Sequence, residues 1–98
     1  MLHIVNKSPL TSNTLDSCLS TATGGDILLI EDAVYAATHG NAAEAKLRAA
    51  TGQFRVHVLL PDLDARGLGD RLIEGVLPVD YAGFVDLVAS NKTCQSWL

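Results

Sequence analysis

Two cysteines are the residues of this sequence best suited to covalent chemistry, because thiols are intrinsically very nucleophilic. Cys18 lies on a predicted first helix that follows the first strand. Ligand sites of open α/β folds collect at that edge of the sheet, and the amides of a helix N-terminus lower a thiol pKa. However, Cys18 also shares an apolar helical stripe with Leu15 and Leu19, which is typical of a thiol packed in the core. The sequence leaves both interpretations open, and it places Cys94 on the surface or in a strand of the tail.

Acidic residues follow several predicted strands, where they could converge on a Mg²⁺ ion. They are Glu31, Asp32, Asp62, Asp64 and Asp80. Such a site needs acidic residues after the first strand and a lysine late in the sheet. Here the first strand instead ends in Asn6 and Lys7. We therefore expect these carboxylates to cap helices and face solvent.

Metal and cofactor chemistry has no other support in the sequence. The three histidines, His3, His39 and His57, lack paired metal-ligand spacing, and two of them lie in predicted strands, where a hydrogen-bonded structural role is expected. The segment Gly67 to Gly69 lacks the third glycine and the preceding strand of a phosphate-binding loop. We expect no metal and no organic cofactor.

Strand-length apolar runs alternate with helical patterns along the chain. The predicted strands are 2–5, 27–30, 54–60, 76–79 and 93–98, and the predicted helices are 13–23, 33–38, 42–50, 61–66 and one that Asp80 caps. Asn13 with Asp16, and Asn41 with Glu44, have the spacing of helix-capping pairs. The order predicts an α/β fold, a three-layer α/β/α sandwich with a mainly parallel sheet of about four to five strands. Residues 1–98 are expected to form a single domain.

Composition excludes several classes of partner and favours one. Charged residues are only 18% of the chain and hydrophobic residues are 48%, so part of the surface is expected to lie against other subunits. The net charge is −4 and the seven basic residues are scattered, which argues against direct nucleic-acid binding. No segment has the length and hydrophobicity of a membrane span, no signal peptide is recognised, and two cysteines suggest free thiols in a reducing cytoplasm.

Five segments, taken in order, resemble the DsrH/TusB family over essentially the whole chain. They are Met1–Pro9, Gly25–Ala37, Asp62–Leu68, Val79–Leu87 and Gln95–Trp97. The resemblance implies a DsrEFH-like three-layer fold. It also implies a heterohexamer with DsrE/TusD-like and DsrF/TusC-like subunits, which exchanges persulfide sulfur with carrier proteins of the DsrC/TusE type.

In that family, the sulfur serves tRNA wobble-uridine 2-thiolation or, in the DsrH branch, dissimilatory sulfur oxidation. The resemblance places the main acceptor cysteine on the DsrE/TusD-like subunit. Cys18 resembles a cysteine of DsrH-type chains, which makes it the candidate persulfide carrier of this chain. The alternative is a non-catalytic subunit that completes the complex and shapes the docking of the carrier protein, with Cys18 in its core.

Overall fold

The computed structural model describes residues 1–97, and their apolar runs form five parallel strands of one sheet. The strands are β1 (Leu2–Val5), β2 (Gly25–Leu29), β3 (Phe54–Leu59), β4 (Leu77–Val79) and β5 (Cys94–Trp97). Their order across the sheet is β4-β3-β2-β1-β5. The predicted α/β architecture is confirmed. Leu98, which the sequence places at the end of the last strand, lies outside the described residues.

Helices connect these strands. They are α1 (Thr14–Thr21), α2 (Glu44–Ala50), α3 (Leu60–Ala65) and α4 (Tyr81–Ser90), with two short 3-10 helices at Glu31–Ala37 and Gly69–Arg71. Within residues 1–97, none of the helices has the length and apolar character that crossing a membrane requires.

One of the three predicted helix caps is present. At the start of α4, the Asp80 carboxylate accepts a hydrogen bond from the Gly83 amide at 2.8 Å, which satisfies an amide that has no partner inside the helix. The predicted Asn41–Glu44 cap is wrong, because α2 begins only at Glu44, after Ala43, and no side chain caps it. Instead, Asn41 accepts from the Ala43 amide at 2.8 Å and Glu44 accepts from the Gly40 amide at 2.7 Å, in the turn before the helix.

The predicted cap at α1 is wrong. The side chain of Asn13 makes no capping hydrogen bond, and the Thr14 amide donates instead to the Ser12 hydroxyl at 3.3 Å. Asp16, the other member of the predicted pair, forms an ion pair with Lys46. The cap that the spacing suggested is therefore absent, and Asp16 instead joins α1 to α2.

The handedness of the connections decides how the helices are divided between the two faces of the sheet. The three connections from β1 to β4 step across the sheet in one direction, so right-handed crossovers place their helices on the same face. We call it the α1 face; it contains Val5, Leu29 and Val58, which belong to the main apolar cluster. The last connection, through α4, returns across the sheet to β5 and therefore lies on the opposite face. We call that the α4 face; it carries the buried side chains of Leu2 and Leu28.

Candidate functional site

Cys18 lies on the side of α1 that packs against the sheet. Its exposed fraction is 0%, and Leu15, one helical turn earlier, is also buried. Both belong to the apolar cluster of the α1 face, together with Val5 of β1 and Val34 of the following 3-10 helix. The apolar stripe recognised in the sequence is therefore the buried side of the helix, and the thiol is one of its packing groups.

Burial sets the chemistry of this thiol. Removal from water disfavours the thiolate and raises the pKa of Cys18 from 9.0 to about 11. At pH 7, about one molecule in 10⁴ would carry the thiolate, which is the form that attacks a persulfide. A reactive cysteine needs exposure and a lowered pKa. In this structure Cys18 has neither, which favours the core interpretation; its reactivity in an assembled complex stays a prediction.

Cys94 lies in a different environment. It begins the edge strand β5, is exposed, and is paired in register with Leu2 of β1. Leu2 belongs to the α4 face, so the two thiols lie on opposite sides of the sheet. Both are free cysteines. The chain thus contains one buried and one exposed thiol, and each can serve as the control for the other.

The strand histidines make the structural hydrogen bonds expected of them. The indole N–H of Trp97 donates to Nδ1 of His3 at 3.1 Å, which joins the neighbouring strands β5 and β1. Burial lowers the pKa of His3, and the nearby N-terminal ammonium lowers it further. His3 is therefore a neutral packing group near pH 7. On the other face, His57 is buried and contacts Asp26.

A polar cluster around the buried Asp26, on the α4 face, was not anticipated from the sequence. Arg55 donates to both carboxylate oxygens of Asp26, at 2.8 and 3.1 Å. His57 Nε2 lies 3.1 Å from one of these oxygens, and the side-chain amide of Asn91 donates to the other at 3.2 Å. Asn91 also donates to the carbonyl of Leu87 at 2.8 Å. The cluster therefore fastens the C-terminal end of α4 to the middle of the sheet.

The Asp26 carboxylate is ionised despite its burial. Removal from water by itself would raise the pKa, but the hydrogen bonds from Arg55, His57 and Asn91 and the charge of Arg55 outweigh it and hold the pKa at about 2. One signal in the sequence could have found part of this cluster. Arg55 and His57 are two residues apart in a strand and so lie on the same face of the sheet. If that face is covered, basic side chains there need an acidic partner.

Of the carboxylates that follow the strands, Asp80 caps a helix as predicted, whereas Asp62 and Asp32 bond to segments more than 30 residues away. The Asp62 carboxylate accepts from the Glu31 amide at 2.7 Å and holds Glu31 at a φ of 50°, a conformation that is rare for residues other than glycine. Asp32 forms an ion pair with Arg66 at 2.9 Å. In the described part of the chain, no group of three or more His, Cys, Asp or Glu side chains is arranged to hold a metal ion.

Comparison with known proteins gives consistent matches over the length of the chain. Residues 7–94 match the family described as DsrH like protein. Over 97 residues, the chain is 34% identical to Protein TusB of Escherichia coli O1:K1 / APEC, covering 99% of this chain and 100% of that protein. It is 33% identical to Protein TusB of Shigella flexneri with the same coverage.

Solved structures share the fold. The ychN protein from E. coli superimposes with a TM-score of 0.78 at 23% identity, covering 97% of each chain. A protein of unknown function from Methanobacterium thermoautotrophicum superimposes with a TM-score of 0.69 at 19% identity, covering 97% of this chain and 95% of the other. At these identities the likeness concerns the fold alone.

Proposed function

Because the chain belongs to the DsrH-like protein family, we propose that it is a subunit of the sulfur-relay complex that supplies sulfur for tRNA thiolation. Its full-length relatives carry the name TusB, which favours the tRNA branch over dissimilatory sulfur oxidation. The partners are DsrE/TusD-like and DsrF/TusC-like subunits in a heterohexamer, with carrier proteins of the DsrC/TusE type. The complex works in the cytoplasm, in keeping with two free thiols.

Within that complex, the chain acts as a structural subunit, and the sulfur is carried by its partners. In the relay step, an acceptor thiolate attacks the outer sulfur of a donor persulfide. A new S–S bond forms on the acceptor while the donor S–S bond breaks, and the electron pair leaves with the donor thiolate. The step needs an exposed thiolate, whereas Cys18 is buried with a pKa of about 11. This observation carries the choice of the structural role over the carrier role.

Persulfide trapping in the assembled complex tests the proposal. The chain is co-expressed with its two partner subunits, the purified complex is loaded with a sulfane-sulfur donor, and each subunit is weighed by mass spectrometry. We expect a gain of about 32 Da, one sulfur atom, on the DsrE/TusD-like subunit and no gain on Cys18. Single-thiol variants, Cys18→Ser and Cys94→Ser, assign any sulfur found on this chain to one of its two cysteines.

The two roles give different results. Sulfur on Cys18 at a level comparable to that of the partner would establish the carrier role and contradict the structural one. A loaded partner with an unlabelled Cys18, together with normal sulfur transfer by the Cys18→Ser complex, would establish the structural role. Failure of the chain to co-purify with either partner would contradict membership of the complex itself.

A further inference from the structure

A cavity of about 290 Å³ lies on the α1 face, between the C-terminal end of α1 and the edge strand β5. Its volume is close to the lower limit for a ligand pocket, so it suits a small molecule. The residues that line it come from β1, β5 and the turn after α1, and they are Met1, His3, Gln95, Trp97 and residues 21–24. Neither Cys18 nor a member of the Asp26 cluster belongs to this lining. The cavity is therefore separate from the groups discussed above for sulfur transfer.

His3 is the buried polar side chain of this lining, with an exposed fraction of 4%. The indole N–H of Trp97 donates to its Nδ1 at 3.1 Å. Because an indole nitrogen can only donate, Nδ1 of His3 must act as the acceptor. A neutral imidazole carries a single ring proton, and that proton is therefore on Nε2. Trp97 thus fixes His3 as a hydrogen-bond donor through Nε2.

The Nε2 atom of His3 is open to the cavity. It forms no hydrogen bond with another residue of the described range 1–97. It is also not among the side-chain atoms of that range that are buried without a partner, which are Oδ1 of Asn6 and Nδ1 of His57. An unpartnered Nε2 that is not sealed in the core must reach solvent, and the cavity is the space that His3 lines. A donor that the fold orients and leaves without a protein partner is a feature of a ligand site.

Other donors belong to the same lining. They include the hydroxyls of Thr21 and Thr23 and the carboxamide of Gln95. The backbone amides of Thr23 and Gly24 follow the end of α1, and within residues 1–97 they form no hydrogen bond with another backbone group. A ligand with several acceptor oxygens would be able to use these groups together with Nε2 of His3.

The charges near the cavity favour an anion. None of its described lining residues is acidic, although the chain has 11 aspartates and glutamates. Burial lowers the pKa of His3 and the Met1 ammonium lowers it further, so the field of this positive charge reaches the ring. The carbonyl end of α1 acts in the opposite sense, but its effect is confined to the last turn of the helix and is screened by solvent. A full positive charge outweighs it, and the complementary ligand is negatively charged.

We propose that this cavity binds a small oxyanion, a molecule or ion with a carboxylate, phosphate or sulfate group, which accepts a hydrogen bond from Nε2 of His3. The Trp97 indole has two roles in the site: it forms one wall of the cavity, and its N–H keeps the ring proton of His3 on Nε2. With the proton on Nδ1 instead, Nε2 would present a lone pair and repel the same oxygen. The site goes beyond the proposed function, because no step of the sulfur relay uses its residues.

Trp97 is the only tryptophan of the chain, so its fluorescence reports on this cavity. The untagged full-length chain is titrated with sodium phosphate, sodium sulfate and sodium acetate, and sodium chloride keeps the ionic strength constant. Acetamide, which has the shape of acetate without its charge, is the neutral control. We expect a saturable change in fluorescence with at least one of the three oxyanions, at millimolar concentrations or below, and none with acetamide.

Two variants and a matched control locate the binding. Thr23→Glu places a carboxylate in the lining, and Thr11→Glu places the same charge at an exposed threonine outside it. We expect Thr23→Glu to weaken oxyanion binding at least about tenfold, because like charges repel, whereas Thr11→Glu should bind as the wild type does. His3→Phe keeps an aromatic ring but removes the donor, and it should also weaken binding at least about tenfold. Circular dichroism and thermal unfolding verify each fold, and the two threonine variants test the site without altering a buried residue.

Three results would overturn the proposal: no saturable binding of any of the three oxyanions, equal binding of acetate and acetamide, or unchanged binding by folded Thr23→Glu. Nitrogen-15 NMR of the histidine rings is an independent check, and a ring proton on Nδ1 of His3 would contradict the assigned donor. Tighter binding of acetate would identify a carboxylate ligand, and tighter binding of phosphate or sulfate a tetrahedral one. All of these outcomes leave membership of the relay complex unaffected, because persulfide trapping and co-purification do not involve this cavity.

Discussion

Alkylation of the two cysteines measures directly whether Cys18 is available for chemistry. Its pKa of about 11 lies two units above the ordinary value of 9.0, so the thiolate is about 100-fold rarer than in an unperturbed thiol at the same pH. Because the side chain is fully buried, the reagent also has to wait for a local opening of the structure. We therefore expect Cys18 to react at least about 100-fold more slowly than the exposed Cys94.

The assay is a timed pulse of iodoacetamide on the folded chain, followed by mass spectrometry of the two cysteine peptides. In urea, where the core is open, the two rates should become similar. In the folded protein, the rate of Cys18 should continue to rise as the pH approaches 11. The experiment is then repeated in the complex with the partner subunits, where the proposed structural role predicts the same protection.

Comparable rates for Cys18 and Cys94 in the folded chain, with no acceleration in urea, would refute the reasoning from burial. If Cys18 is protected in the free chain but is alkylated rapidly in the complex, the reasoning from burial holds for the free chain and the proposed structural role is wrong. In that case the partners would open the α1 region and expose the thiol, and the carrier role would regain support.

Three further predictions concern the Asp26 cluster, a glycine and the exposed apolar residues of α4. Asp26→Asn should lower the free energy of unfolding at pH 7 by at most about 2 kcal/mol, since Arg55 is largely exposed to solvent. The pKa of Asp26 is about 2 in the folded state against 3.8 ordinarily, so this contribution is present above about pH 4 and fades as the pH falls toward 2. Urea unfolding from pH 7 to 3 checks it, and a loss that does not change with pH would contradict the assignment. Gly25→Ala should lower the melting temperature, because Gly25 has a φ of +105° and an added Cβ would lie 2.6 Å from the carbonyl oxygen of Met1; an unchanged temperature would be the contrary result. The chain without its partners should self-associate with rising concentration, because Tyr81, Val85 and Val88 expose apolar surface to solvent; sedimentation of the wild type as a stable monomer at about 100 µM would argue against a bare interface.

Local pattern and short-range chemistry were enough to predict the order and type of the main elements. The continuous apolar run of β2 indicated a strand covered on both faces, and the cap at Asp80 correctly marked the start of α4. The cap at Asn13 failed because its backbone, with a φ of −91° and a ψ of 9°, lies outside the extended conformation of an N-cap residue. Residue spacing carries no information about the backbone conformation of the residue before the helix.

The candidate site depended more on the tertiary structure. The apolar stripe showed that Cys18 belongs to the same helix side as Leu15, but not that the apolar cluster of the α1 face would enclose it completely. The Asp26 cluster joins residues 29, 31 and 65 positions apart, so no local pattern could have revealed all of it.

The sequence by itself determined the alternation of strands and helices, because this follows from periodicity. The tertiary structure supplied the strand order, and with it the face of the sheet on which each helix lies. Only the tertiary structure decided that Cys18 is fully enclosed and that α4 remains apolar toward solvent. Burial depends on contacts with segments that are far apart in the chain. The degree of burial decides whether a thiol acts as a nucleophile or as a packing group.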